Sequence, residues 1–151
     1  MLNRFFRLIA IAALALLSTP ALAGEFFETD GVALRGYDPV AYFVSAQPQK
    51  GQAQYSYEYK GSKFHFASEA NKRAFMTMPE KYAPQFGGYC AYGTAQGYKV
   101  STKPDAFAIV KDKLYLNYDK KVQNIWRHDI PGNIQRAETN WPEVSKSPQK
   151  D

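Results

Sequence analysis

Cys90 is the residue whose chemistry most depends on its setting. It is the only cysteine of the chain, so no disulfide can form within the molecule. Three fates stay open for its sulfur: a buried inert thiol, half of an intermolecular disulfide, or a reactive or metal-binding group. It follows Gly87-Gly88-Tyr89, where paired glycines permit a sharp reversal, and the composition from Tyr89 to Ala95 predicts a short helix. A thiol in the first turn of a helix meets unpaired N–H groups and the positive end of the dipole, which lower its pKa and favour the thiolate. Against this stands the ordinary behaviour of free cysteine, which packs as a small hydrophobe.

The other groups that could do chemistry are few. His65 lies between Phe64 and Phe66, and strand alternation turns it to the face away from those rings. It joins Cys90 as a candidate metal ligand only if the Cys90 helix covers that face. Met76 and Met78 offer two thioethers that suit Cu(I), but residues two apart on a helix do not face each other, and Met78 reads as core. His128 reads as a partner for a helix C-terminus. Two histidines exclude a His-rich zinc site, and one cysteine excludes a Cys-x-x-Cys oxidoreductase. No glycine-bracketed serine or phosphate loop is present. A thiol-transfer or peroxidase-like role through Cys90 alone stays open as a third reading, without a resolving cysteine to support it.

Several elements must position these groups. Asp38 is expected to cap a short helix over 39–44, with Pro39 at its first position and Val40 and Phe43 inward. Tyr55, Tyr57 and Tyr59 alternate with polar residues, which predicts a half-buried strand in a hairpin from Tyr55 to Phe66 turning at Lys60-Gly61. The register that pairs Glu58 with Lys63 avoids two facing lysines; it sets Tyr57 opposite Phe64, Tyr55 opposite Phe66 and His65 opposite Ser56. Ser68 caps a helix to about Met78, with Ala70, Asn71, Ala74, Phe75 and Met78 on one face. Pro79 ends it and starts a further turn. A second hairpin runs from Phe107 to Tyr118. Asp119 caps a helix with Val122, Ile125 and Trp126 inward, and Pro131 opens a last one with Ile134, Ala137 and Trp141. The expected fold is α+β: a single domain with a small antiparallel sheet of two hairpins packed with several short helices around one core.

The ends read differently. Arg4 and Arg7, the apolar run Leu8 to Leu17 and Ala21-Leu22-Ala23 match a secretory signal peptide over 1–23, cleaved after Ala23. The expected location is therefore periplasmic or secreted, with a domain over 24–144 and a disordered tail over 145–151. Loss of Arg4 and Arg7 lowers the formal net charge from +5 to +3, and the lysines are scattered, which argues against nucleic acid. No stretch outside the leader is apolar enough to insert stably in a membrane. With 11 Tyr and 10 Phe, the chain suits a small core with wet edges.

Asp38-Pro39-Val40, Tyr59 to Phe64, Phe66 to Asn71, Phe75 and Met78 to Tyr82 together resemble the YHS-domain family. The segments Gly87 to Gly93 and Leu114 to Tyr118, through to Trp141-Pro142, resemble its exported bacterial single-domain members. The resemblance implies the fold and an association with metal handling. The metal-associated branch carries cysteine where this chain has Ala41, Ala67 and Asn71, so its site cannot be carried over. The leading reading is an exported module, more a binder than an enzyme, that binds or handles a soft metal such as copper through Cys90 with His65. The alternative is a metal-free module whose tyrosine-rich cleft, with Tyr37, Asp38, Tyr89 and Tyr92 as candidates, binds a small molecule or another exported protein.

Overall fold

The computed structural model describes residues 24–150; the leader expected over 1–23 and Asp151 lie outside the described residues. The chain opens with a miniature hairpin, β1 (Glu28–Thr29) and β2 (Val32–Ala33), and a left-handed turn at Leu34–Gly36, where φ is +54° at Leu34, +56° at Arg35 and +78° at Gly36. A short helix α1 (Ala41–Val44) follows. Next come the hairpin of β3 (Gln52–Tyr59) and β4 (Ser62–Phe66), then helices α2 (Glu69–Thr77) and α3 (Pro79–Tyr82). A second left-handed turn at Gln85–Gly88 leads into α4 (Ala91–Ala95). The hairpin of β5 (Phe107–Val110) and β6 (Lys113–Leu116) precedes α5 (Lys120–Arg127) and α6 (Ile130–Val144). Three antiparallel two-stranded sheets and six helices among the described residues make the fold α+β.

The local signals act as their chemistry requires. Ser68 Oγ accepts from Asn71 N at 3.1 Å, and Asp119 Oδ1 accepts from Val122 N at 2.8 Å; each satisfies an N–H that the first helical turn leaves free. Lys60 and Gly61 both take positive φ in the β3–β4 turn, the twist that matches two flanking strands. Tyr57 pairs with Phe64, Glu58 with Lys63 and Ser56 with His65. Tyr55 does not face Phe66, because the register shifts and Gln52 takes that place. The cause lies at the start of β3. Gly51 N donates to Gly36 O at 2.8 Å, and Gly51 lies so close to His65 that a Cβ would stand 2.5 Å from its carbonyl carbon.

The interior is two clusters, not the single core expected. One holds Phe26, Leu34, Val40, Tyr42, Phe64, Phe66, Phe75, Leu114 and Leu116. The other holds Phe86, Ala91, Ala95, Tyr115, Trp126 and Ala137. Alternation along β6 sends Leu114 and Leu116 into the first and Tyr115 into the second. Phe75 is the hub of the first, with ring centroids 4.9 Å from Phe64, 5.2 Å from Phe66 and 5.6 Å from Tyr59.

Ala70, Met78 and Ile125, all expected on inward faces, are exposed. Met78 is 47% exposed because its backbone, at φ −138° and ψ 65°, leaves the helix ahead of Pro79. Ile125 is 42% exposed; the buried face of α5 is Gln123 and Trp126, and Gln123 Nε2 donates to the Phe107 carbonyl. A polar residue thus takes an inward position that an apolar stripe would assign to isoleucine. Phe26 and Phe27, just ahead of β1, are both buried. Residues 145–150, for which the sequence predicts a disordered tail, carry Ser145 N to Trp141 O at 2.8 Å and Lys150 N to Lys99 O at 2.7 Å. No helix among the described residues is long and apolar enough to cross a membrane.

Candidate functional site

The turn at Gln85–Gly88 delivers Cys90 to its place. Phe86, Gly87 and Gly88 all take positive φ, and Gly87 has no room for a side chain, since a Cβ would lie 2.4 Å from the Glu25 carbonyl oxygen. Cys90 N then donates to Val100 O at 3.0 Å, and Cys90 bridges Leu116 in parallel. The residue precedes α4 as its cap: Sγ accepts from Gly93 N at 3.3 Å and from Tyr118 N at 3.2 Å. Asn117, fully buried, accepts through Oδ1 from Tyr92 N at 3.1 Å and from the Cys90 thiol at 3.6 Å.

This setting corrects the expectation of a depressed thiol pKa. Burial pushes the Cys90 thiol up, outweighing the N–H groups of Gly93, Tyr118 and Tyr92, and the charge of Asp119 adds to the rise. Cys90 is 1% exposed, and a helix of only five residues such as α4 brings little dipole. The sulfur therefore stays a neutral thiol at neutral pH, with S–H toward Asn117 and two N–H groups toward its lone pairs. It is a weak nucleophile in this state.

Above Cys90 lies a cleft of about 370 Å³. Tyr92, Tyr98, Tyr118, Val100 and Val122 wall it, with Cys90 and Gly93 beneath. Lys150 reaches it from the C-terminal segment, its ammonium 4.2 Å from the Tyr98 ring centroid, and Lys150 bridges Val100 in parallel. Tyr98 is 47% and Tyr118 is 38% exposed, so both rings show large apolar faces to solvent. Tyr98, Val100, Tyr118 and Val122 escaped the sequence reading because they come from three segments: the α4–β5 connection, the end of the second hairpin and α5. The one available signal was the pair of tyrosines with no core position to fill.

The other candidates disperse. Tyr92 joins Cys90 in the cleft. Tyr89 is buried against Phe27 and Trp141, at centroid distances of 5.7 and 6.2 Å, and burial pushes its hydroxyl pKa up. Tyr37 and His65 line a different cavity, of about 480 Å³. Desolvation lowers the His65 pKa, and the charges of Lys63 and Lys50 lower it further. His65 and Cys90 therefore do not share a site, and the Cys90 helix does not cover the face of His65. Among the described residues no group of three or more His, Cys, Asp or Glu side chains is placed to hold a metal ion.

Asp38 lies in neither cavity but at the centre of the fold. Its side chain is fully buried. Oδ1 accepts from Val40 N at 2.8 Å and Ala41 N at 3.2 Å; Oδ2 accepts from Ala67 N at 2.8 Å and Asn71 Nδ2 at 2.7 Å. Ala41, Ala67 and Asn71, the positions where the resemblance implies cysteine in a metal-associated branch, here all converge on one carboxylate. A hydrogen-bonded hub occupies that place and ties α1, β4 and α2 together.

No curated protein and no solved structure matches the chain. Residues 40–86, from the residue before α1 to the turn ahead of Cys90, match the model of the YHS domain.

Proposed function

We propose that the chain is a binding module whose tyrosine-walled cleft over Cys90 takes a small apolar or aromatic molecule. One observation carries this reading: three tyrosines and two valines wall a cavity of about 370 Å³ that has no carboxylate and no histidine among the described residues lining it. Such a lining favours flat apolar surface, with tyrosine hydroxyls and the Lys150 ammonium at the edge to orient a polar tip. Cys90 forms the floor and, as a neutral thiol, packs rather than reacts.

A second reading keeps the soft metal, copper, at Cys90; the association of YHS domains with metal handling supports it. The donor set of the cleft does not fit a multi-ligand centre, because Cys90 is its one soft donor and the sulfur already accepts from two N–H groups. The N-terminal pattern supports export as part of either reading. A mature protein beginning at Gly24 in the soluble exported fraction is expected; an intact mass that retains residues 1–23 in a membrane fraction would overturn it.

The two readings part on one set of measurements. The apolar dye Nile red is titrated into the metal-free protein, and Cu(I) competition against a chromogenic chelator is run in parallel. The cleft reading expects saturable dye binding that Tyr98→Ala and Tyr118→Ala each weaken about tenfold, or ~1.4 kcal/mol, with Cys90→Ser close to the parent. One copper per chain, lost in Cys90→Ser, together with dye binding indifferent to both tyrosines, would transfer the function to the metal.

A further inference from the structure

The second cavity, of about 480 Å³, opens between the turn at Leu34–Gly36 and strand β4. Arg35, Lys50 and His65 meet in it, and Asp30 is its single carboxylate. Neither Arg35 nor Lys50 forms an ion pair with any described carboxylate. Both cations are nonetheless held in place. Arg35 Nε donates to Thr102 O at 3.0 Å and its guanidinium lies 5.2 Å from the Phe27 ring centroid, and its terminal nitrogens make no hydrogen bond to a described group. Lys50 Nζ donates to the Arg35 carbonyl and stands 4.9 Å over the Tyr37 ring.

Gly36 shapes the gap between them. It takes φ +78°, and the Cβ it lacks would lie 3.6 Å from Lys50 Nζ and 3.7 Å from His65 Nδ1. Two nitrogens from different segments therefore approach one small space that no side chain fills. The imidazole of His65 makes no hydrogen bond to any described group. Two cations, Arg35 and Lys50, line the cavity against the single carboxylate of Asp30, so the field here is positive on balance. That field repels a metal cation and attracts an anion.

We propose that this cavity binds a small molecule through an oxyanion head, a phosphate or a carboxylate, held by Lys50, Arg35 and His65. The head lies in the gap at Gly36, where charge-assisted hydrogen bonds from fixed donors are strongest. The rest of the molecule extends over Tyr37 and Pro104, because the cavity is far larger than a single inorganic anion needs. This site is separate from the cleft over Cys90, and neither depends on the other.

The probes are phenyl phosphate and benzoate, titrated separately at constant ionic strength and followed by backbone amide shifts. Saturable binding of either, with shifts gathered at Gly36, Tyr37 and His65, is expected, and the tighter probe identifies the head group. Lys50→Gln and His65→Gln should weaken it, Lys50→Gln by about tenfold, while Lys121→Gln on exposed α5 leaves it unchanged. Lys50 is exposed, so its replacement does not threaten the fold, and circular dichroism checks this. Failure of both probes to saturate overturns the proposal, as does equal weakening by Lys50→Gln and Lys121→Gln, which would mark a diffuse charge effect.

Discussion

Asp38→Asn is the substitution that tests the hub most sharply, because it keeps the volume and changes only hydrogen-bonding capacity. The carboxylate accepts from two backbone N–H groups at Oδ1, and from Ala67 N and Asn71 Nδ2 at Oδ2. An amide offers one acceptor oxygen and one NH₂, so one pair of donors must face N–H. With the nitrogen toward α1, Val40 N and Ala41 N both lose their acceptor, and neither can turn away. With the nitrogen toward β4, Asn71 can rotate its own amide to present oxygen, and only Ala67 N is stranded. The second orientation is cheaper. It leaves one buried donor unsatisfied, at about 1–3 kcal/mol, and weakens the remaining bonds by removing the charge, by roughly another 1 kcal/mol. The expected loss is therefore ~2–4 kcal/mol, a large part of the ~5–15 kcal/mol that holds a domain of this kind. Urea unfolding with an unchanged m-value measures it, and native-state hydrogen exchange should show the Ala67 amide losing protection ahead of the rest. A loss below about 1 kcal/mol with Ala67 still protected would refute the assignment of Asp38 as the hub.

Two further outcomes follow from burial. Phe75→Ala removes a fully buried ring packed on Phe64, Phe66 and Tyr59 and should cost ~3–5 kcal/mol; Met78→Ala, at an exposed position, should change stability by less than about 0.5 kcal/mol in the same urea assay. Because burial raises the Cys90 pKa in the folded state, the unfolded chain releases its thiol proton first as pH rises. The thiol's contribution is thus fully present below the unfolded value of about 8.5 and is lost as pH climbs toward the folded one. Stability of the parent relative to Cys90→Ala should fall through that window, and iodoacetamide should modify Cys90 at a rate set by opening of the fold; modification at neutral pH as fast as a free thiol would refute the buried assignment.

What could be read from the sequence was whatever is decided within a few residues. Ser68, Asp119 and the Lys60-Gly61 turn act locally, and local rules placed them. The Glu58–Lys63 register held because a one-residue slip would have set two lysines face to face. The errors arose where distant segments intervene. Tyr55 lost its place opposite Phe66 because Gly36 and His65 draw in Gly51. Ile125 lost its inward place to Gln123 because Phe107 presents a carbonyl that only a polar side chain can answer. The candidate site suffered most. Cys90 was visible as an oddity, but its neighbours Tyr98, Val100, Tyr118 and Val122 gather only through tertiary contacts. Its pKa direction reversed because burial outweighs the N–H groups of a five-residue helix.

Strand β6 is pinned on both faces. With Leu114 and Leu116 in one cluster and Tyr115 in the other, a slip of one residue would exchange leucine and tyrosine between two differently shaped interiors. The β3–β4 hairpin, with one polar face, absorbs an irregularity; β6 has no face to spare. The residues that follow it inherit that fixity. Asn117 reaches Tyr92 and Cys90, and Tyr118 N reaches the sulfur, so the dimensions of the cleft are set by a strand that cannot be retuned in small steps. Variation in what the cleft accepts must therefore come from its other wall, at Tyr98, Val100 and the C-terminal segment, where an insertion or a changed side chain disturbs neither interior.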